Sequence, residues 1–163
     1  MISLLLDWLR DKKKGFHTIK KGLVGTWKST SFDQKNEKWV EDEIDITLAL
    51  GKICLKNLNP DLCGGYNYGG SLKFVDRRHL FGRWQSVKGS STIAGSVFFV
   101  LDPDGEYLYG FYNYDDDGKW SGWCLGRSVA SLKEATSILT VDLSKNAEFL
   151  RKRLENGNQV NAD

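Results

Sequence analysis

The chain has 163 residues, enough for one domain and too few for two ordinary cores. Its 23 basic and 21 acidic side chains leave a net charge of +2, so no global field recruits a membrane or nucleic acid, and no DNA or RNA duplex is expected as a partner. Aromatics at 12%, six of them Trp, suit a barrel core or a binding surface, because large rings bury much area with few rotors.

Residues 1–21 read as an amphipathic helix and a basic connector. Leu5, Trp8 and Leu9 share one face at helical spacing, and Gly15 is expected to end the helix. This helix either packs on the domain or serves as a peripheral membrane or partner anchor, since Trp and Leu beside Lys12, Lys13 and Lys14 suit an interface. No apolar run approaches the ~18–20 residues of a membrane helix. The lysines follow the apolar stretch rather than precede it, the wrong order for a secretory signal, so a cytoplasmic location is expected.

Residues 22–127 repeat one element: an apolar residue, any residue, Gly, any residue, another apolar residue. It occurs around Gly25, Gly70, Gly82, Gly95, Gly110 and Gly122. From Gly70 onward the spacing is about one strand plus one tight turn. Strand side chains alternate, so the residues two before and two after each Gly share its face. A Gly kept on one face of successive strands relieves crowding where a sheet bends, and closure into a barrel needs such bends. Asp102-Pro103-Asp104-Gly105 and Asp115-Asp116-Asp117-Gly118 supply turn chemistry. The strands expected are 23–32, 39–50, 52–58, 66–75, 79–87, 92–101, 106–114 and 119–127. The fold expected is therefore mainly β: an antiparallel up-and-down barrel of about eight strands, flanked by an N-terminal and a C-terminal helix. The late strands carry apolar residues on both faces, so their exterior needs covering by the terminal helices or by self-association.

Residues 128–163 form a C-terminal helical segment and tail. Ser131-Leu132-Lys133-Glu134 has capping-box spacing, and Leu143, Ala147, Leu150 and Leu154 trace a helical stripe. Residues 138–141 fit either a helix or a short strand.

Catalytic signatures are sparse. Phosphate-loop, nucleophile-elbow and zinc-protease motifs are missing, and His17 and His79 lie in no arrangement suited to catalysis. Cys54, Cys63 and Cys124 are odd in number and lack metal-site spacing, so they read as reduced thiols. No metal or organic cofactor is expected, and the chain is not expected to be an enzyme. What remains is aromatic rings on the glycine-sharing face, with cations near by. If that face is interior, Trp27, Tyr68, Trp84, Tyr112 and Trp120 point inward, with Lys73 and Arg127 in reach. Stacking rings and phosphate-neutralising cations are what a small anionic or nucleotide-like ligand needs. A solid core with surface cations is the other account of the same residues, and it would make the chain a protein-interaction module. A lipocalin-like enzyme with a scattered site is the third reading.

Gly25-Thr26-Trp27 resembles the GxW of the calycin-like lipocalin and avidin barrels. The series through Gly110-Phe111-Tyr112 and Trp120-Ser121-Gly122-Trp123-Cys124-Leu125-Gly126-Arg127 resembles the barrels of SMODS-associated, two-transmembrane, β-strand-rich effectors of bacterial anti-phage signalling (CBASS). That resemblance implies a barrel that senses a cyclic oligonucleotide made by a partner nucleotidyltransferase. The family's transmembrane pair has no counterpart in these residues, so the resemblance supports the sensing role and does not extend to the membrane-disrupting output.

Overall fold

The computed structural model describes residues 15, 18–33, 36–116 and 118–139. The expected helix face at Leu5, Trp8 and Leu9, and the stripe from Leu143 to Leu154, lie outside the described residues.

Alternating apolar and polar side chains, punctuated by turns, produce eight strands: β1 (Gly25–Asp33), β2 (Lys38–Ala49), β3 (Lys52–Asn57), β4 (Asn67–Phe74), β5 (His79–Lys88), β6 (Ser91–Leu101), β7 (Tyr107–Asn113) and β8 (Trp120–Gly126). Each pairs antiparallel with the next, and β8 pairs with β1 to close an up-and-down barrel. The β1–β2, β3–β4, β5–β6 and β7–β8 connections ring one end, the mouth. The other end, the base, is filled by Trp27, Ile44, Ile53, Leu80, Phe99 and Leu108, all fully buried.

The repeated glycines explain how the barrel closes. A Cβ on Gly82, Gly95 or Gly110 would fall inside the carbonyl oxygen of Ser71, Asn113 or Phe98 on the neighbouring strand, and one on Gly70 would lie 2.6 Å from the Arg83 oxygen. The bare positions are filled from the sides. In register, Trp84 stands between Gly70 and Gly95, while Gly110 lies between Phe99 and Trp123. The Phe99 and Trp123 rings meet edge to face across that glycine, with centroids 5.3 Å apart.

Among the described residues two α-helical stretches flank the barrel: α1 (18–23) and α2 (129–139). Leu23 and Ile19 of α1 join the barrel core, and Lys20 donates to the Gly51 carbonyl at 2.9 Å, so α1 closes the base. Gly15, expected to end the first helix, is itself helical. On the outside, α2 lays Ala135 and Leu139 over Tyr107 and Cys124, with Tyr109 and Phe111 beside them. Burial of Leu139 alone is worth about 1.5–3 kcal/mol. Among the described residues no helix is long and apolar enough to cross a membrane.

Three local expectations need correction. The capping box begins at Ser128, not Ser131: the Ser128 and Ser131 hydroxyls each accept the other's backbone N–H, at 3.1 and 2.9 Å, so Ser131 takes the place usually held by Glu. Of the two alternatives left open for 138–141, the described residues 138 and 139 take the helix. Leu50 does not continue β2. It shares a two-residue turn with Gly51, at φ 50° and 76°, and is fully exposed. On β8 the glycine face is exterior: Ser121, Trp123 and Leu125 point inward, whereas Gly122 and Gly126 face α2, where Cβ atoms would collide with Leu139 and Leu132.

Two outcomes are expected in thermal melts. Gly95→Ala and Gly110→Val should each cost about 1–3 kcal/mol or more by overpacking, with Gly89→Asn, in an open turn at φ 58°, near neutral. Leu50→Asn should stabilise by ~0.5–1 kcal/mol, because Asn-Gly suits a turn with both φ angles positive.

Candidate functional site

At the base, Gly25 and Trp27 form one device with Arg127. The Trp27 indole donates to the Leu23 carbonyl at 2.8 Å, and the Arg127 guanidinium lies 3.9 Å over its ring. Arg127 also donates to the carbonyls of Val24 and Gly22. A side chain on Gly25 would press on that guanidinium, 3.3 Å away. This arrangement seals the base and lines neither the cavity at the mouth nor the groove outside the barrel.

Toward the mouth the interior is not filled. A cavity of about 920 Å³ opens there, walled by Tyr68, Trp84, Tyr112 and Trp123. The rings meet edge to face: Trp84 with Tyr112 at 5.7 Å, Tyr112 with Trp123 at 5.7 Å and Tyr68 with Trp123 at 5.8 Å. Each ring is also held by its polar atom. Trp84 donates to the Asn113 carbonyl (3.1 Å), Tyr112 to the Phe32 carbonyl (2.8 Å), Trp123 to the Ser29 hydroxyl (2.9 Å) and Tyr68 to the Asp42 carboxylate (2.9 Å). The rim carries Asp33, Asn36, Lys38, Asp116 and Lys119, with Tyr114 closing against Trp84 at 5.3 Å.

The buried carboxylate of Asp42 organises one wall. It accepts the Tyr68 hydroxyl, the Cys63 thiol (3.2 Å) and the Glu43 backbone N–H (2.7 Å). Burial, with Asp42 beside it, pushes the Cys63 thiol up to about 12 and the Tyr68 phenol well above its usual range. Burial likewise raises Tyr112. These groups keep their protons near neutral pH, which suits recognition better than nucleophilic or base chemistry.

Of the residues singled out from the sequence, the fold brings Tyr68, Trp84 and Tyr112 together on the cavity wall. Trp27 points inward but belongs to the base with Arg127. Lys73 is exposed on the outer face of β4, and Trp120, 44% exposed, lies outside β8 rather than inside as expected. Trp123 takes the interior place assigned to Trp120. Sequence reasoning missed Trp123, Asp42, Tyr114 and the rim lysines; register against Gly110 was the available signal for Trp123. Arg83 forms a two-pronged ion pair with Asp115 on the exterior, at a shallow groove of about 490 Å³. His79 is near the base, 2.7 Å from Asp76 and stacked on Phe98. The three cysteines are free.

The closed, all-antiparallel barrel of eight strands is consistent with a calycin-like fold. No family model, curated protein or solved structure matches this chain.

An alkaline titration checks the burial of two thiols, Cys63 on the cavity wall and Cys124 under α2. Folded Cys63 and Cys124 both hold their protons to about 12, because burial disfavours the thiolate, whereas ordinary thiols release them near 9. Their contribution to stability is therefore complete below pH 9 and is lost as pH climbs toward 12. Urea midpoints should fall between pH 9 and 11, and fall less steeply in Cys63→Ala/Cys124→Ala. Identical slopes in both proteins would contradict the assignment.

Proposed function

We propose that this barrel is a non-enzymatic binding protein for a small nucleotide-type ligand. The observation that carries the reading is the cavity of about 920 Å³ walled by rigidly held aromatic rings. Small-molecule sites commonly occupy ~300–1,000 Å³ and are lined by apolar and aromatic side chains with a few placed polar groups. A flat base has ring faces and edges to meet at Trp84, Tyr112 and Trp123, and Lys38 and Lys119 at the rim suit its phosphate. A cyclic oligonucleotide second messenger, the ligand implied by the resemblance to anti-phage sensor barrels, is the specific form proposed. The cavity weighs against a solid-core interaction module, as does α2, which occupies part of the late-strand exterior that such a module would present.

The test is a thermal-shift panel of cyclic di- and trinucleotides, mononucleotides and fatty acids. A ligand at 100 times its Kd adds about 2.7 kcal/mol of stability, readily seen as a raised Tm. Nucleotides should stabilise and fatty acids should not. Trp84→Phe should weaken binding by calorimetry, and Lys38→Ala/Lys119→Ala should flatten its salt dependence. Arg83→Ala, paired outside the barrel, should leave affinity unchanged. Stabilisation by fatty acids alone, or loss of binding only in Arg83→Ala, would overturn the proposal.

A further inference from the structure

At the base the barrel ends in two hairpin tips that carry bare apolar side chains. Leu50 stands fully exposed in the β2–β3 turn, and Val75, 67% exposed, opens the β4–β5 turn. The β3–β4 register pairs Ile53 with Leu72. Extended toward the base, it sets Lys52 beside Lys73 and Leu50 toward Val75, so the two tips are neighbours. Leu50 is also held at φ 50°, a conformation disfavoured for residues other than Gly, Asn and Asp.

The charge on the surrounding elements has one sign. Lys20 and Lys21 lie on α1, whose Lys20 reaches the Gly51 carbonyl beside the first tip. Lys52 begins β3, Lys73 lies near the end of β4, and Arg77 and Arg78 follow Val75 in its turn. Against these six cations stands one carboxylate on the same elements, Asp76. It is occupied within its own turn, accepting the Arg78 and His79 backbone N–H groups and lying 2.7 Å from the His79 ring. The other acids of the base, Asp102, Asp104 and Glu106, belong to the next connection round, between β6 and β7. The mouth has the opposite balance: among the described residues Asp33, Glu37, Asp61, Asp115 and Asp116 outnumber Lys38, Lys88 and Lys119.

We infer that the base docks peripherally on an anionic lipid membrane, with Leu50 and Val75 entering the headgroup–acyl boundary and the cations facing the headgroups. The apolar side chains protrude from turns rather than form a shaped face, which suits a deformable lipid surface. The excess of cations selects a negatively charged one. The barrel then stands base down, and the more acidic mouth opens its cavity to water. This inference rests on the base alone and is independent of the ligand proposed for the cavity.

Vesicle flotation of the full chain tests it, with mixed phosphatidylcholine–phosphatidylserine vesicles against pure phosphatidylcholine. The protein should float with the anionic vesicles, stay behind with the neutral ones, and be released by high salt. Leu50→Asn/Val75→Ser removes the apolar tips and keeps every charge. It should raise the lipid concentration for half-binding at least about tenfold, because binding scales with the apolar area inserted. Lys52→Ala/Arg77→Ala should raise it by about fivefold for each cation lost. A melting curve for each variant confirms that it is folded. Equal flotation of the tip variant and the unaltered protein would overturn the inference, because the membrane contact would then lie elsewhere in the chain. Failure to float with anionic vesicles would overturn it too, including the case in which the protein binds heparin or RNA instead.

Discussion

The barrel depends on close approach between neighbouring strands at positions where no side chain fits. At Gly82, Gly95 and Gly110 the neighbour's carbonyl oxygen occupies the place of a Cβ, so β5, β6 and β7 coil more tightly than branched or even alanine side chains would permit. Each gap is then covered from the side by a large group: Trp84 lies between Gly70 and Gly95, and Phe99 and Trp123 lie to either side of Gly110. Curvature and aromatic content are thus one constraint. The bends that close the sheet also create the spaces that the rings fill, and two of those rings, Trp84 and Trp123, also wall the cavity.

That constraint divides the interior into two regions with different chemistry. The base is dense, with Trp27 capped by Arg127 and by α1, and aliphatic side chains filling the remainder. The mouth is lined by rings whose polar atoms are tied to the wall, which leaves few ways for them to rearrange. Rings fixed in this way lose little freedom when a ligand arrives, and such preorganisation favours binding. On the outside of β8, bare Gly122 and Gly126 seat α2, while Trp123 between them faces the cavity. One strand therefore joins the ligand space to the helical cover.

Much of this was legible in the sequence. All eight strands fall within two residues of the spans read from alternation and turns, because the period of two and the Gly and Asp turns are local signals. Tyr68, Trp84 and Tyr112 were legible for the same reason, each standing two residues from an inward glycine. The failures came where local pattern was ambiguous or tertiary contact decided. On β8 both faces are apolar and two glycines face a helix, so pattern alone gave the wrong face for Trp120 and Trp123. Leu50 was read as strand because it kept the alternation, whereas the turn with Gly51 required a positive φ there. Asp42 stands in sequence among Glu41, Glu43 and Asp45, a local pattern that does not distinguish it from a solvated face, and only the return of β4 brings the Tyr68 hydroxyl to it.

Indole N–H resonances provide the most direct measurement of where a ligand sits. Trp84 and Trp123 face the cavity, Trp27 lies in the sealed base and Trp120 lies outside. In a nitrogen-15 correlation titration with a nucleotide that raises the melting temperature, the Trp84 and Trp123 indole signals should shift together and saturate at one affinity. Those of Trp27 and Trp120 should remain in place. Shifts confined to Trp120, with Trp84 and Trp123 unmoved, would place the ligand outside the barrel and contradict the account.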